Sequence, residues 1–147
     1  MKEDYKTKNA YTANATANGG GREGLSKTDD GRVTVTLATP TEMGGSGKGT
    51  NPEQLFATGY AGCYLGAMRF AAGKAKIDMP AAATVSSHVS IGGRDDGEGF
   101  GLEVTLDVSL PGMTQAAADD LAKRGHVVCP YSHSIKGNVK VTTNVTV

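Results

Sequence analysis

Cysteine is scarce in this chain: Cys63 and Cys129 are the only two in 147 residues. Two are too few to staple a disulfide scaffold, yet they suit a pair that opens and closes during chemistry. Net charge is lacking as well. Fifteen lysines and arginines balance fifteen aspartates and glutamates, and no stripe of like charge occurs. No basic field is therefore available to hold nucleic acid or an anionic membrane. The first residues, Met1 to Lys8, are charged with no apolar run behind them, which argues against a secretory signal and for a cytoplasmic protein with reduced thiols. Without such a signal, Asn14-Ala-Thr and Asn144-Val-Thr read as ordinary residues and not as glycosylation sites. Nor is there a membrane span. The segment from Leu55 to Gly73 approaches the length, but Arg69, several glycines and many alanines make it a helix buried in protein.

What is present fits one domain, residues 1–147, able to bury roughly two-thirds of its unfolded surface. The first fifty residues read as short strands with glycine turns. Tyr11 to Ala17 alternates weakly, Gly19 to Gly24 interrupts it, and Asp29-Asp-Gly31 precedes a strand with Val33, Val35 and Leu37 on one face. Gly44 to Gly49 reads as a flexible loop. Lys48 is followed by glycine and Glu42 occupies the leading glycine position, so no phosphate-binding loop forms there. Asn51, Pro52 and Glu53 then announce a helix by cap, first-turn proline and dipole-facing carboxylate. It is apolar nearly all round, which predicts packing on several sides. Gly59, Gly62 and Gly66 on it predict close approach of another backbone. Further strands are expected at Val85, Val89 and Ile91, from Phe100 through Leu102, Val104, Leu106 and Val108 to Leu110, and from Val139 to Val147. Between the last two, Thr114 caps a helix through about Lys123. Strands with one wet face predict antiparallel sheet against helices, an α+β fold.

Cys63 sits in the middle of the long helix, out of reach of the dipole end that could stabilise a thiolate, so a cation must come from elsewhere. Arg69 lies on the opposite side of the helix. Arg22, set among glycines that let the backbone bend, is the better candidate, against the plainer reading of a solvated loop arginine. At about 4 Å and an effective dielectric near 20, a guanidinium favours a thiolate by roughly 4 kcal/mol, about three pKa units before desolvation.

Five segments carry a family resemblance: Gly-Gly-Arg-Glu-Gly (20–24), Gly-Thr-Asn-Pro-Glu-Gln-Leu-Phe-Ala (49–57), Gly-Tyr-Ala-Gly-Cys-Tyr-Leu-Gly-Ala (59–67), Val-Cys-Pro-Tyr-Ser (128–132) and Gly-Asn (137–138). In order and spacing the chain resembles the organic hydroperoxide resistance (Ohr) branch of the Ohr/OsmC superfamily. The resemblance implies an OsmC-like fold, antiparallel sheets around long central helices in an intertwined homodimer. It implies that Cys63 is the peroxidatic cysteine, Cys129 the resolving cysteine, and Arg22 and Glu53 the pair that stabilises the thiolate. It also implies a dithiol reductant of the dihydrolipoyl type and no cofactor beyond the thiols. Glu23, Tyr64 and His133 depart from residues common in the family. The implied reaction is a two-cysteine peroxidase cycle on organic hydroperoxides, with Tyr64, Met68, Phe56, Met43, Phe100 and Tyr131 as candidates for an apolar substrate pocket or, equally, for core packing.

Helix geometry adds a constraint of its own. Glu53 and Cys63 are ten residues apart, about 15 Å along a straight helix and about 80° apart in azimuth. They cannot share a site within one helix, so Glu53 is expected to reach Cys63 from a second subunit, giving composite active sites. Two rival readings stand beside the enzyme. His126, Cys129 and His133 offer three potential zinc ligands within eight residues, although His126 equally reads as a helix-end residue and His133 as a surface loop residue. The other rival is a non-enzymatic dimer in which both cysteines are merely buried.

Overall fold

The computed structural model describes residues 6–147. It divides into two compact units, one running to Pro52 and the other from Glu53 to Val147. The first is built on a three-stranded antiparallel sheet, β1 (Ala15–Ala17), β2 (Leu25–Thr28) and β3 (Thr34–Thr36), in that order. Asp29-Asp-Gly31 makes the β2–β3 turn as its sequence predicts, with Gly31 at φ 71° and Asp30 accepting from Arg32 N–H at 2.9 Å. Val33 stays exposed and Leu37 is buried just beyond β3. The strand is thus shorter than the alternation implied.

The glycine stretch 44–49 departs from the flexible loop expected of it. Backbone N–H groups of Gly44, Gly45 and Gly47 donate to the carbonyls of Thr41, Pro40 and Thr39. Gly44 and Gly47 have φ 83° and φ 65°, conformations that glycine alone takes without cost. The glycines here knit a tight turn and do not form a slack linker.

In the second unit α1 (Pro52–Ala75) is one unbroken helix of 24 residues. Its buried side chains, Tyr60, Tyr64, Ala67, Met68, Ala71 and Ala72, recur at helical spacing on a single face, so the packing is one-sided within this unit. The helix overruns Gly73 and stops at Lys76, which takes a left-handed φ of 54°. Arg69 leaves the site altogether and donates to the carbonyls of Pro80 and Ala81.

The sheet opposite is β4 (Thr84–Gly93), β5 (Phe100–Ser109) and β6 (Lys140–Thr146). β4 pairs with β5 antiparallel, but β5 and β6 are parallel, so the sheet is mixed where an antiparallel one was expected. The reason is connective: α2 (Gln115–Val128) and α3 (Pro130–Ile135) lie between those two strands in the chain, and a crossover of that length returns a strand in parallel. Register places Val85, Val108 and Val145 in one row, Val89, Val104 and Val141 in another, and Ser87, Leu106 and Thr143 between them. This inner face joins α1, Ala118 and Leu121 of α2, and Cys129 in one hydrophobic core. The outer face is polar. There His88 bonds Asp107 at 2.8 Å, and Asn144 donates to the same carboxylate at 2.9 Å.

Candidate active site

Thr114 caps α2 as predicted, its Oγ1 accepting from Ala117 N–H at 3.2 Å. The helix runs five residues past the expected end at Lys123, to Val128, because nothing before Pro130 stops it. Proline disfavours the helical conformation in the residue before it. Cys129 accordingly takes φ −66° and ψ 119°, and Pro130 opens α3 at its first position. Cys129 is therefore the elbow between two helices, and its side chain is completely buried.

The elbow faces the middle of α1. Cys129 Sγ lies 3.6 Å from Cys63 Sγ, both cysteines being free thiols and Cys63 partly buried. Around this contact α3 seats closely on α1. A methyl group at Gly59 would come within 3.1 Å of Tyr131 Oη, so the helices meet where one of them has no side chain. Phe56, Tyr60 and Tyr131 form a ring cluster with centroids 5.8–5.9 Å apart. Below it runs a polar chain that the sequence did not announce. Tyr60 Oη bonds Ser132 Oγ at 2.7 Å, Ser132 Oγ bonds His126 Nδ1 at 2.9 Å, and His126 Nε2 bonds Thr143 Oγ1 at 2.7 Å. His126 stands in the last turn of α2 as expected, but it is half-buried and bonded at both nitrogens to side-chain hydroxyls, its ring 4.6 Å from that of Tyr64, and does not face the terminal backbone carbonyls. His133 is a residue of α3, not of a loop. Among the described residues no three His, Cys, Asp or Glu side chains gather as metal ligands.

The electrostatics of this unit work against a thiolate. Burial pushes the Cys63 thiol above its ordinary range, the neighbouring Cys129 adds to that, and a backbone hydrogen bond from Tyr131 pulls only partly the other way. A thiolate at this position would need a cation in addition. Arg22 belongs to the first unit, on the 3-10 turn Gly21–Glu23. That turn is held firmly, contrary to the bending expected of its glycines. Asn18 Oδ1 accepts from the N–H groups of Gly20 and Leu25, Glu23 Oε1 accepts from Thr39 N–H at 2.9 Å, and Leu37 N–H donates to the Gly24 carbonyl at 2.7 Å. Those bonds with Thr39 also lower the Glu23 pKa.

The pocket candidates separate. Tyr64 and Met68 are wholly buried, packed against Gly125, and Tyr64 Oη donates to the Ala122 carbonyl at 2.7 Å. They are core residues, not pocket walls. Phe100 is 70% exposed and borders a cavity of about 780 Å³ whose lining includes neither cysteine. Phe56 and Tyr131 remain beside the sulfurs, and Met43 stands exposed in the first unit. Glu53 lies in the first turn of α1, on the same continuous helix as Cys63.

Comparisons with known proteins agree on one family. The profile of the OsmC-like protein family matches residues 45–144. An organic hydroperoxide resistance protein of Xanthomonas axonopodis pv. citri is 47% identical over 133 residues, 90% of this chain and 92% of its own length. An uncharacterized protein of Acinetobacter baylyi is 49% identical over 131 residues, 89% of this chain and 90% of its own. The crystal structure of an organic hydroperoxide resistance protein from Legionella pneumophila matches with a TM-score of 0.89 at 44% identity, covering 95% of this chain and all of that one.

The half-buried imidazole of His126 has a signature in solution. Burial lowers the pKa of His126 below its ordinary value. A histidine depressed in this way binds protons more readily when unfolded, so its contribution to stability is complete above about pH 6.5 and is lost as pH falls toward the folded value. Thermal unfolding of the wild type is expected to fall in Tm between about pH 7 and about pH 5, and His126→Asn to fall less over the same interval. Equal drops in both proteins would remove His126 from the titration.

Proposed function

Because this chain belongs to the OsmC-like family, on its organic hydroperoxide resistance branch, we propose that it is a thiol-dependent peroxidase that reduces organic hydroperoxides to alcohols. The observation that carries this reading is the 3.6 Å approach of the only two sulfhydryls in the chain. The Cys63 thiolate attacks one oxygen of ROOH. The O–O bond accepts two electrons and breaks, RO⁻ leaves and takes up a proton, and Cys63 becomes a sulfenic acid. The Cys129 sulfur then attacks that of Cys63. An S–S bond forms, the S–O bond breaks, and the departing hydroxide leaves as water with the Cys129 proton. A dithiol of the dihydrolipoyl type returns the pair to thiols by exchange.

Arg22 supplies the positive charge that the raised Cys63 pKa demands and stabilises the leaving oxygen, while Glu53 orients the guanidinium. Phe56 and Tyr131 form the apolar wall that favours alkyl and lipid hydroperoxides over hydrogen peroxide, with Met43 as a further candidate. The working form is a homodimer with composite sites, in which the partner's Glu53 serves Cys63. Three features support it. Glu53 and Cys63 stand about 15 Å apart along an unbroken helix. A methyl group at Gly62, Gly66 or Gly73 would meet no described atom of this unit within 4 Å. Phe70 and Val127 are 57% and 82% exposed, apolar surface that a second copy would cover. No described helix is long and apolar enough to cross a membrane.

With dihydrolipoamide as donor, turnover of tert-butyl hydroperoxide is expected to exceed that of hydrogen peroxide by at least about tenfold. Cys63→Ser is expected to abolish it, and Cys129→Ser to permit one oxidation and then overoxidation at Cys63. Equal turnover by both variants would exclude these roles. Composite sites are tested by refolding Cys63→Ser and Glu53→Ala chains together. The mixture is expected to regain about a quarter of wild-type activity, since half the dimers carry one intact site; a mixture as inactive as its parts would place Glu53 and Cys63 in the same chain.

A further inference from the structure

Resting on the peroxidase reading above, we propose that Ser132 is the positioning residue of the disulfide-forming step, tying the segment that carries Cys129 to the turn of α1 that carries Cys63. Its place in the sequence is the first reason. Tyr60 stands three residues before Cys63, and Ser132 three residues after Cys129. The bond between Tyr60 Oη and Ser132 Oγ, 2.7 Å long and buried, therefore spans the seam between the helices one turn away from each sulfur. His126 stands three residues before Cys129, and its Nδ1 meets the same Ser132 oxygen at 2.9 Å. That second bond closes the elbow from 126 to 132 with Cys129 at its midpoint.

The elbow needs closing. At Cys129 the backbone is extended between α2 and α3, so helical hydrogen bonding alone leaves the angle between them open. Ser132 fixes it by drawing on all three sides: α1 through Tyr60, α2 through His126, and β6 through the bond from His126 Nε2 to Thr143 Oγ1 at 2.7 Å. A serine hydroxyl has one donor and two acceptor sites, enough for both of its partners. The Tyr60–Ser132 bond is buried and the two His126 bonds are partly so, and in such surroundings an unmade bond is costly and a made one restricts motion.

The chemical consequence falls on one step. A disulfide requires the sulfurs to close from 3.6 Å to about 2.0 Å, a displacement that side-chain torsion supplies when the helices are held at this spacing. Closure competes with attack of a second hydroperoxide on the sulfenic acid, which yields sulfinic acid. A displacement of the elbow by about 1 Å slows the intramolecular reaction steeply, while the first oxidation, which uses Cys63 alone, does not depend on where Cys129 stands. Ser132 thus governs the partition between reversible and irreversible oxidation.

The test follows both phases in the reduced full-length protein. After one equivalent of tert-butyl hydroperoxide, samples are alkylated at intervals and weighed intact to separate sulfenic acid from disulfide. Ser132→Ala and Tyr60→Phe are each expected to oxidise Cys63 at the wild-type rate and to close the disulfide about tenfold more slowly, the scale of one buried hydrogen bond. The double variant is expected to close no more slowly than the slower single one, since both changes remove the same bond. With excess hydroperoxide both single variants should accumulate sulfinic acid. Closure at the wild-type rate in both would overturn the assignment, and so would equal slowing of both phases, which marks general loosening. Wild-type protein that forms the sulfenic acid yet never closes would overturn the disulfide reading itself, a result distinct from failure in the variants alone.

Discussion

The seating of α3 against the middle of α1 is the contact on which the site depends. Cys63 on an isolated helix is a thiol with no partner, and Cys129 in an isolated turn is another. They come together because Pro130 forces the elbow, Gly59 leaves room for Tyr131, and the Tyr60–Ser132–His126 chain holds the seam at a sulfur separation of 3.6 Å. Each of these features acts on backbone spacing, not on reactivity.

Reactivity is a separate problem, and the second unit makes it harder. The surroundings that bring the thiols together also shield Cys63 partly from water, and that burial raises its pKa. A buried nucleophile of this kind gains by having its counter-charge delivered on another element, where charge and desolvation can be set independently. The proposed cation, Arg22, has such a support. Its turn is braced by Asn18 and Glu23, whose side chains accept backbone hydrogen bonds on either side of it. A braced arginine gives up less conformational freedom on reaching a site than one on a slack loop.

Part of the fold is legible in the sequence. The alternation of Val85, Val89 and Ile91 against Val104, Leu106 and Val108 gave the sheet face, and the cap at Thr114 and the Pro52 start gave two helix origins. One illegible feature is local, and the others depend on groups that stand apart in the chain. Lys76 ends α1 in a left-handed conformation that no glycine announces. The parallel β5–β6 pairing follows from the crossover, not from either strand. His126 is the helix-end residue its position implies, but its partners, Ser132 and Thr143, are six and 17 residues away and not announced by that position. For Tyr64 and Met68 the sequence leaves pocket wall and core packing open, and the close approach of Gly125 on α2 places both in the core. Assigning the cysteines to redox roles came from the family resemblance. The sequence alone left a reactive pair and two inert thiols as alternatives.

The most direct measurement is the stoichiometry of thiol loss. One equivalent of tert-butyl hydroperoxide added to the reduced protein without oxygen should remove both free thiols of each chain, and peptide mapping should find a single linkage, Cys63 to Cys129 within one chain. Retention of both thiols, or a linkage formed only between chains, would contradict the account.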